Sequence, residues 1–220
     1  MTLHDLYLLS PEVSLAGVGL VVILLDMVIT NKSRLAWISC VGLLIPLIFS
    51  LTLWGDLTAD TGGQMIGVFD TLVVDKFAIF FKILILGIVG VVVISSADYM
   101  SKLKNLEGEY YGLMLFSASG MMLLAATTDL ISIYIAMELT ALPLAALAAF
   151  LGNARATESG MKFLLLSAMS SAILLYGMTL TYGFTGTTQL SEILQQLGSS
   201  VNGNIPFGSH AMFLGVIMIV

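Results

Sequence analysis

The chain has 220 residues, of which 58% are hydrophobic and only 10% charged, with a mean hydropathy of +1.03. Soluble globular domains carry about 25% charged residues, so this composition excludes an ordinary soluble domain and belongs to an integral membrane protein. A net charge of −6 leaves no basic face for nucleic acid, and Cys40, the single cysteine, can form neither an internal disulfide nor an iron–sulfur site.

The N-terminal segment MTLHDLYLLSPE has no cationic leader and carries Asp5 and Glu12. It is a poor signal peptide, so the first apolar run is expected to stay as a membrane anchor. Apolar stretches of about 17–25 residues mark helices able to cross a bilayer. Six complete ones are predicted, near 12–30, 35–54, 77–97, 111–128, 130–151 and 157–181, and a seventh begins near Ser209. The expected fold is all-α: a polytopic transmembrane helix bundle, one membrane domain over 1–220 with no soluble domain. The seventh helix is still running at Val220, which reads as the N-terminal part of something longer.

The connections set an expected orientation. Lys32 and Arg34 lie in the first, Lys102 and Lys104 in the third, and Arg155 in the fifth, whereas the second holds Asp56, Asp60, Asp70 and Asp75 and no cation. Cations in alternate loops place those loops on the cytoplasmic or matrix side and the N-terminus outside. The sixth connection, Tyr182 to Gly208, is long and polar, and QLSEILQQL (Gln189–Leu197) within it suits a short amphipathic helix at the outer interface.

Ionisable residues within the spans are the candidate functional groups. Glu138 stands nine residues from Asp129 and more than a dozen from Gly152, so neither interface is close. A central carboxylate costs about 2.5–3.5 kcal/mol on insertion scales. It must be protonated, paired or hydrated, which suits a proton relay; a static hydrogen bond is the competing reading. Pro143 removes one backbone donor and displaces the carbonyl near Leu139. Lys82, about one and a half turns into the third span, either snorkels outward or takes part in proton transfer. Lys162 has Glu158 one turn before it, the favourable order for an i,i+4 pair, so an interfacial salt bridge and a functional charge are evenly matched. Glu138 and Lys162 are not expected to touch. Asp26 reads as an interfacial charge near Lys32 and Arg34, and Asp129 as a helix cap. The serines of SAMSSA (Ser167–Ala172) suit close packing or a hydrogen bond between helices. His4 and His210 lack partners at metal spacing, so no metal site is predicted.

The segments DLISIYIAMELTALPLAALAAF (Asp129–Phe150) and ESGMKFLLLSAMSSAILLYGMTLTYGFTGTT (Glu158–Thr188), with SPEVSLAGVGLVVILLDMV (Ser10–Val28) at the start, resemble the antiporter-like membrane subunits of respiratory complex I (NADH:quinone oxidoreductase), of the subunit N (subunit 2) type. The resemblance implies a helix array in which a central glutamate and several lysines carry protons, driven by quinone reduction elsewhere in the complex. Glu138 matches the family's fifth-helix glutamate and Lys162 the lysine of its sixth helix; the family's later lysines have no counterpart before Val220. It further implies no redox centre in this chain. FMN, iron–sulfur clusters and quinone would sit elsewhere in the complex, and the partners would be other membrane subunits, lipid and protons. The location would be a bacterial inner membrane or an organellar energy-transducing membrane. A cation/proton antiporter subunit and a non-transporting scaffold remain alternatives.

Overall fold

The computed structural model describes residues 3–28, 33–59, 64–67, 70–100, 106–201 and 208–219. Ten helices and one hairpin follow in chain order among them: α1 Leu3–Leu8, α2 Ser10–Val28, α3 Ser33–Gly42, α4 Leu44–Ala59, β1 Gln64–Gly67, β2 Leu72–Asp75, α5 Lys76–Met100, α6 Glu107–Leu124, α7 Leu130–Ala148, α8 Ala154–Thr185, α9 Leu190–Val201 and α10 Gly208–Ile219. Five helical stretches, 10–28, 35–58, 76–100, 130–148 and 154–185, are long and apolar enough to cross a membrane.

The second of these runs through α3 and α4. The two are separated only at Leu43, whose amide still bonds to Ser39 O at 3.1 Å. Pro46 accounts for the interruption: it has no N–H to donate and its ring crowds the carbonyl four residues earlier, that of Gly42.

The fourth expected span, 111–128, is shifted in the structure. Its helix α6 runs from Glu107 to Leu124, about 27 Å at 1.5 Å per residue, and it is not among the five apolar stretches. The reason is its place in the bundle. α6 packs against α2, α3, α5 and α7 and buries Gly108, Gly112, Ser117, Ser119 and Gly120. A helix walled in by other helices needs small residues for close approach more than it needs an apolar perimeter. At Gly120 an added Cβ would lie 2.6 Å from Thr140 Oγ1 and 2.8 Å from Thr140 N on α7. Ser117 Oγ donates to Thr140 O at 3.1 Å across the same seam.

The second, fourth and sixth connections meet at one end of the bundle, as their lack of Lys and Arg led one to expect of a shared side. β1 and β2 pair antiparallel, with Gln64 opposite Asp75 and Gly67 opposite Leu72. Val73 N bonds to Ala126 O at 2.8 Å and Thr128 N to Thr71 O at 3.1 Å. Leu130 N reaches Thr188 O at 2.9 Å and Leu190 N reaches Thr128 O at 3.1 Å. The amphipathic helix expected at 189–197 is α9, longer than expected, with Ile193 buried in a cluster with Leu130 and Met178. Lys32, Lys102, Lys104 and the side chain of Arg34 lie outside the described residues.

Two further apolar clusters fill the bundle. The larger holds Leu15, Val22, Leu86, Val93, Tyr111 and Leu115 among others. The smaller, at the hairpin end, holds Leu8, Leu53, Leu57, Leu72, Val74 and Ile79.

Candidate functional site

Glu138 sits on α7 eight residues after Leu130 and ten before Ala148, about 12 and 15 Å from the two helix ends. Asp129 starts that helix as its N-cap, its carboxylate accepting from Ser132 N at 3.0 Å, as its position before the apolar run predicts. Pro143 is buried within α7, which stays helical to Ala148. The proline deprives the Leu139 carbonyl of its i+4 donor, one residue from Glu138.

The Glu138 side chain is half-buried, and its Oε1 accepts a hydrogen bond from the hydroxyl of Ser171 on α8. One serine of the SAMSSA run therefore does bond across a helix interface. A cleft of about 470 Å³ between α7 and α8 is lined by Leu130, Tyr134, Leu175, Thr179, Tyr182 and Thr188. Tyr134, one turn from Glu138 on α7, lines this partly polar cleft, which runs toward the hairpin end without Glu138 or Ser171 in its lining.

Lys162 is not brought to Glu138. It precedes Ser171 by nine residues, about 13 Å along α8 and half a turn round it. Its ammonium instead pairs with Glu158 Oε1 at 2.5 Å, with the two side chains 70% and 64% exposed. Because α8 begins at Ala154, Lys162 stands about 12 Å inside the helix end, deeper than a start near 157 implied.

Lys82 corrects the expectation of outward snorkelling. Its side chain is 0% exposed, and its Nζ lies 2.7 Å from Oε1 of Glu12, itself 6% exposed. This interhelical pair joins α5 to the first turn of α2. Sequence reasoning missed Glu12 as a partner, treating it only as an N-terminal charge. The missing signal was depth: α2 starts and α5 starts at the same end of the bundle, so Glu12 and Lys82 stand within one lysine's reach of each other. Asp26, at the other end of α2, lies against Gly108 of α6, where an added Cβ would overlap its Cβ.

A family model described as "NADH:quinone oxidoreductase/Mrp antiporter, TM" matches residues 127–220, a segment holding Glu138, Ser171 and Lys162. The chain is 37% identical over 219 residues to NADH-quinone oxidoreductase subunit N of Trichlorobacter lovleyi, covering 97% of this chain and 44% of that protein. Residues 127–220 match this family of antiporter-like membrane subunits, and the chain as a whole is similar to its subunit N relatives. The chain thus spans less than half the length of the curated relatives it matches. Among solved structures, it is similar to a chain of respiratory complex I from Thermus thermophilus (TM-score 0.63, 26% identity, 95% of this chain and 49% of that one). It is also similar to a chain of the Mrp complex from Dietzia sp. (TM-score 0.72, 25% identity, 96% and 23%). Glu12 and Lys82 fall outside the 127–220 match. The likeness to the Trichlorobacter lovleyi protein, by contrast, extends over 97% of the chain.

Proposed function

We propose that this chain forms part of a proton-translocating membrane subunit of an NADH:quinone oxidoreductase, with Glu138 binding and releasing protons near the middle of the membrane. The observation that carries this reading is the Ser171–Glu138 hydrogen bond. A hydroxyl donates to a carboxylate and accepts from a carboxylic acid, so the same partner serves both protonation states. The serine hydroxyl thus remains a hydrogen-bond partner before and after protonation. The α7–α8 cleft supplies hydroxyls from Tyr134, Thr179 and Tyr182 between that carboxylate and the hairpin end.

Lys162 and Lys82 are the accompanying charges. Lys162, on the far side of α8, can exchange its Glu158 partner for another carboxylate. Quinone reduction elsewhere in the complex shifts a neighbouring charge, the Glu138 proton is released, and the next is taken up. Each charge crossing the membrane works against about 2.3 kcal/mol per 100 mV, which the redox step supplies. The N-terminus lies on the outer side, with Arg155 inside, and the location is an energy-transducing membrane, the bacterial inner membrane first.

The test is Glu138→Gln in sealed membranes carrying the whole complex, with assembly followed on native gels and protons counted per electron. Assembly with pumping lost relative to electron flow is the expected result. Pumping at the wild-type level overturns it and leaves a scaffold role. The likeness to a chain of the Mrp complex favours one second reading, a cation/proton antiporter subunit, which requires sodium-dependent transport without electron flow.

A further inference from the structure

Lys82 and Glu12 form the most deeply buried charge pair among the described residues, at 2.7 Å with side-chain exposures of 0% and 6%. The pair occupies a layer of its own. Along α5, Ile79 belongs to the hairpin-end cluster and Leu86 to the larger one, with Lys82 between them. Glu12 stands likewise between Leu8 and Leu15, and on α4 the fully buried Ser50 stands between Leu47 and Leu53. The titratable side chains of the flanking clusters are Tyr7 on the hairpin side and Cys40, Tyr110 and Tyr111 on the other.

Two features are wrong for a static lock. A buried ion pair is held firmly only when further hydrogen bonds satisfy its remaining polar atoms, yet neither Glu12 oxygen nor the Lys82 nitrogen makes a hydrogen bond of good geometry, even to the other. Moreover, the cation is lysine. Arginine suits fixed buried pairs because it stays charged and binds carboxylates through two N–H groups, whereas a buried lysine readily gives up its proton.

We infer that Glu12 and Lys82 form a second proton-exchanging pair, at the hairpin end and apart from Glu138. Moving one proton from the Lys82 ammonium to the Glu12 carboxylate converts the ion pair into an amine and a carboxylic acid with no change of net charge. The pair then becomes cationic on gaining a proton and anionic on losing one, so it can take up or pass on a single proton. This rests on the proton-translocation reading above.

Lys82→Arg separates proton exchange from packing, because arginine keeps the positive charge and the pair with Glu12 but does not release a proton. In sealed membranes with the assembled complex, the expected result is a loss of proton translocation of about 10²-fold or more, the range for removal of a proton-transferring side chain. The charge-free double variant Glu12→Gln/Lys82→Met is expected to assemble, since replacing both partners of a buried pair is far milder than removing one, and to share the loss. Wild-type pumping in either assembled variant overturns the inference, and failure of both to assemble does so too by making the pair a folding lock. Glu138→Gln run in parallel keeps the two readings apart. If it is defective while Lys82→Arg pumps normally, only the role of this pair falls; if it pumps normally, the translocation reading itself falls.

Discussion

The hydroxyl of Ser171 on α8 donates to the carboxylate of Glu138 on α7, so the mid-span charge of one helix is held by an uncharged group of the next. Bonds to charged groups contribute about 1.5–3 kcal/mol. Ser171→Ala is therefore expected to slow proton translocation by about ten- to a hundredfold, where 1.36 kcal/mol is one factor of ten, and to leave assembly intact. Ser171→Thr, which keeps the hydroxyl, should stay close to wild type. An alanine variant as defective as Glu138→Gln would mean that Ser171 itself relays the proton.

Gly120 lets α6 and α7 meet beside this site. A methyl group there would press on Thr140 N, 2.8 Å away, and on Ala136 O at 3.0 Å, backbone atoms that cannot rotate aside. Gly120→Ala is expected to cost about 1–3 kcal/mol, as overpacking does, and to lower the thermal stability of the assembled complex. A variant with unchanged stability would show that the α6–α7 seam relaxes freely.

Much of this was legible in the chain. The five long apolar spans, the gathering of alternate loops at one end, the Asp129 cap and the amphipathic α9 all follow from local signals: apolar length, loop charge and capping chemistry, whereas the fourth expected span does not hold its bounds. Glu138 could be picked out because a lone carboxylate mid-span has no local explanation. What escaped was pairwise geometry. The partner of Lys82 lies 70 residues away at Glu12, and only the side-by-side packing of bundle helices reveals it. The hairpin β1–β2 was hidden for a related reason: its second strand is pinned by Ala126 and Thr128, groups outside its own sequence. Asp75, counted as one more loop acid, caps α5 by accepting from Ala78 N at 2.7 Å.

The cap at Asp129 permits a clean stability test. Its carboxylate accepts from both the amide and the hydroxyl of Ser132, at 3.0 and 3.3 Å, while it is itself 4% exposed. Asp129→Ala is expected to cost about 0.5–2 kcal/mol, the usual range for a lost N-cap, and Asp129→Asn far less. Equal losses in the two variants, read by thermal denaturation, would mean that the negative charge rather than the cap geometry matters.

At the hairpin end, the Tyr7 hydroxyl donates to Asp56 Oδ2 at 2.7 Å. Burial raises the Tyr7 phenol above its ordinary value of 10.0; a hydrogen bond with Thr52 opposes this, and the neighbouring Asp56 carboxylate adds to it. A group raised in the folded state contributes stability at pH below its unfolded value and loses it as pH climbs through the folded one. The Tyr7–Asp56 link should therefore hold through neutral pH and fail only above about pH 10. Phenolate absorbance of wild type minus Tyr7→Phe should show this late titration; a Tyr7 component below 10 would contradict it.

Lys162 and Glu158 separate a surface salt bridge from a functional charge. Their ion pair, at 2.5 Å, joins side chains one turn apart on the same helix, so it ties no two helices together. Glu158→Gln should accordingly leave both stability and proton translocation near wild type. If Lys162 acts as a charge in translocation, Lys162→Met should assemble normally and pump poorly, while Lys162→Arg, still cationic, recovers part of the loss. The two substitutions break the same contact, so only a function of the lysine beyond that contact can make them differ. Matching behaviour of Glu158→Gln and Lys162→Met, whether both silent or both defective, would assign the lysine to the salt bridge alone.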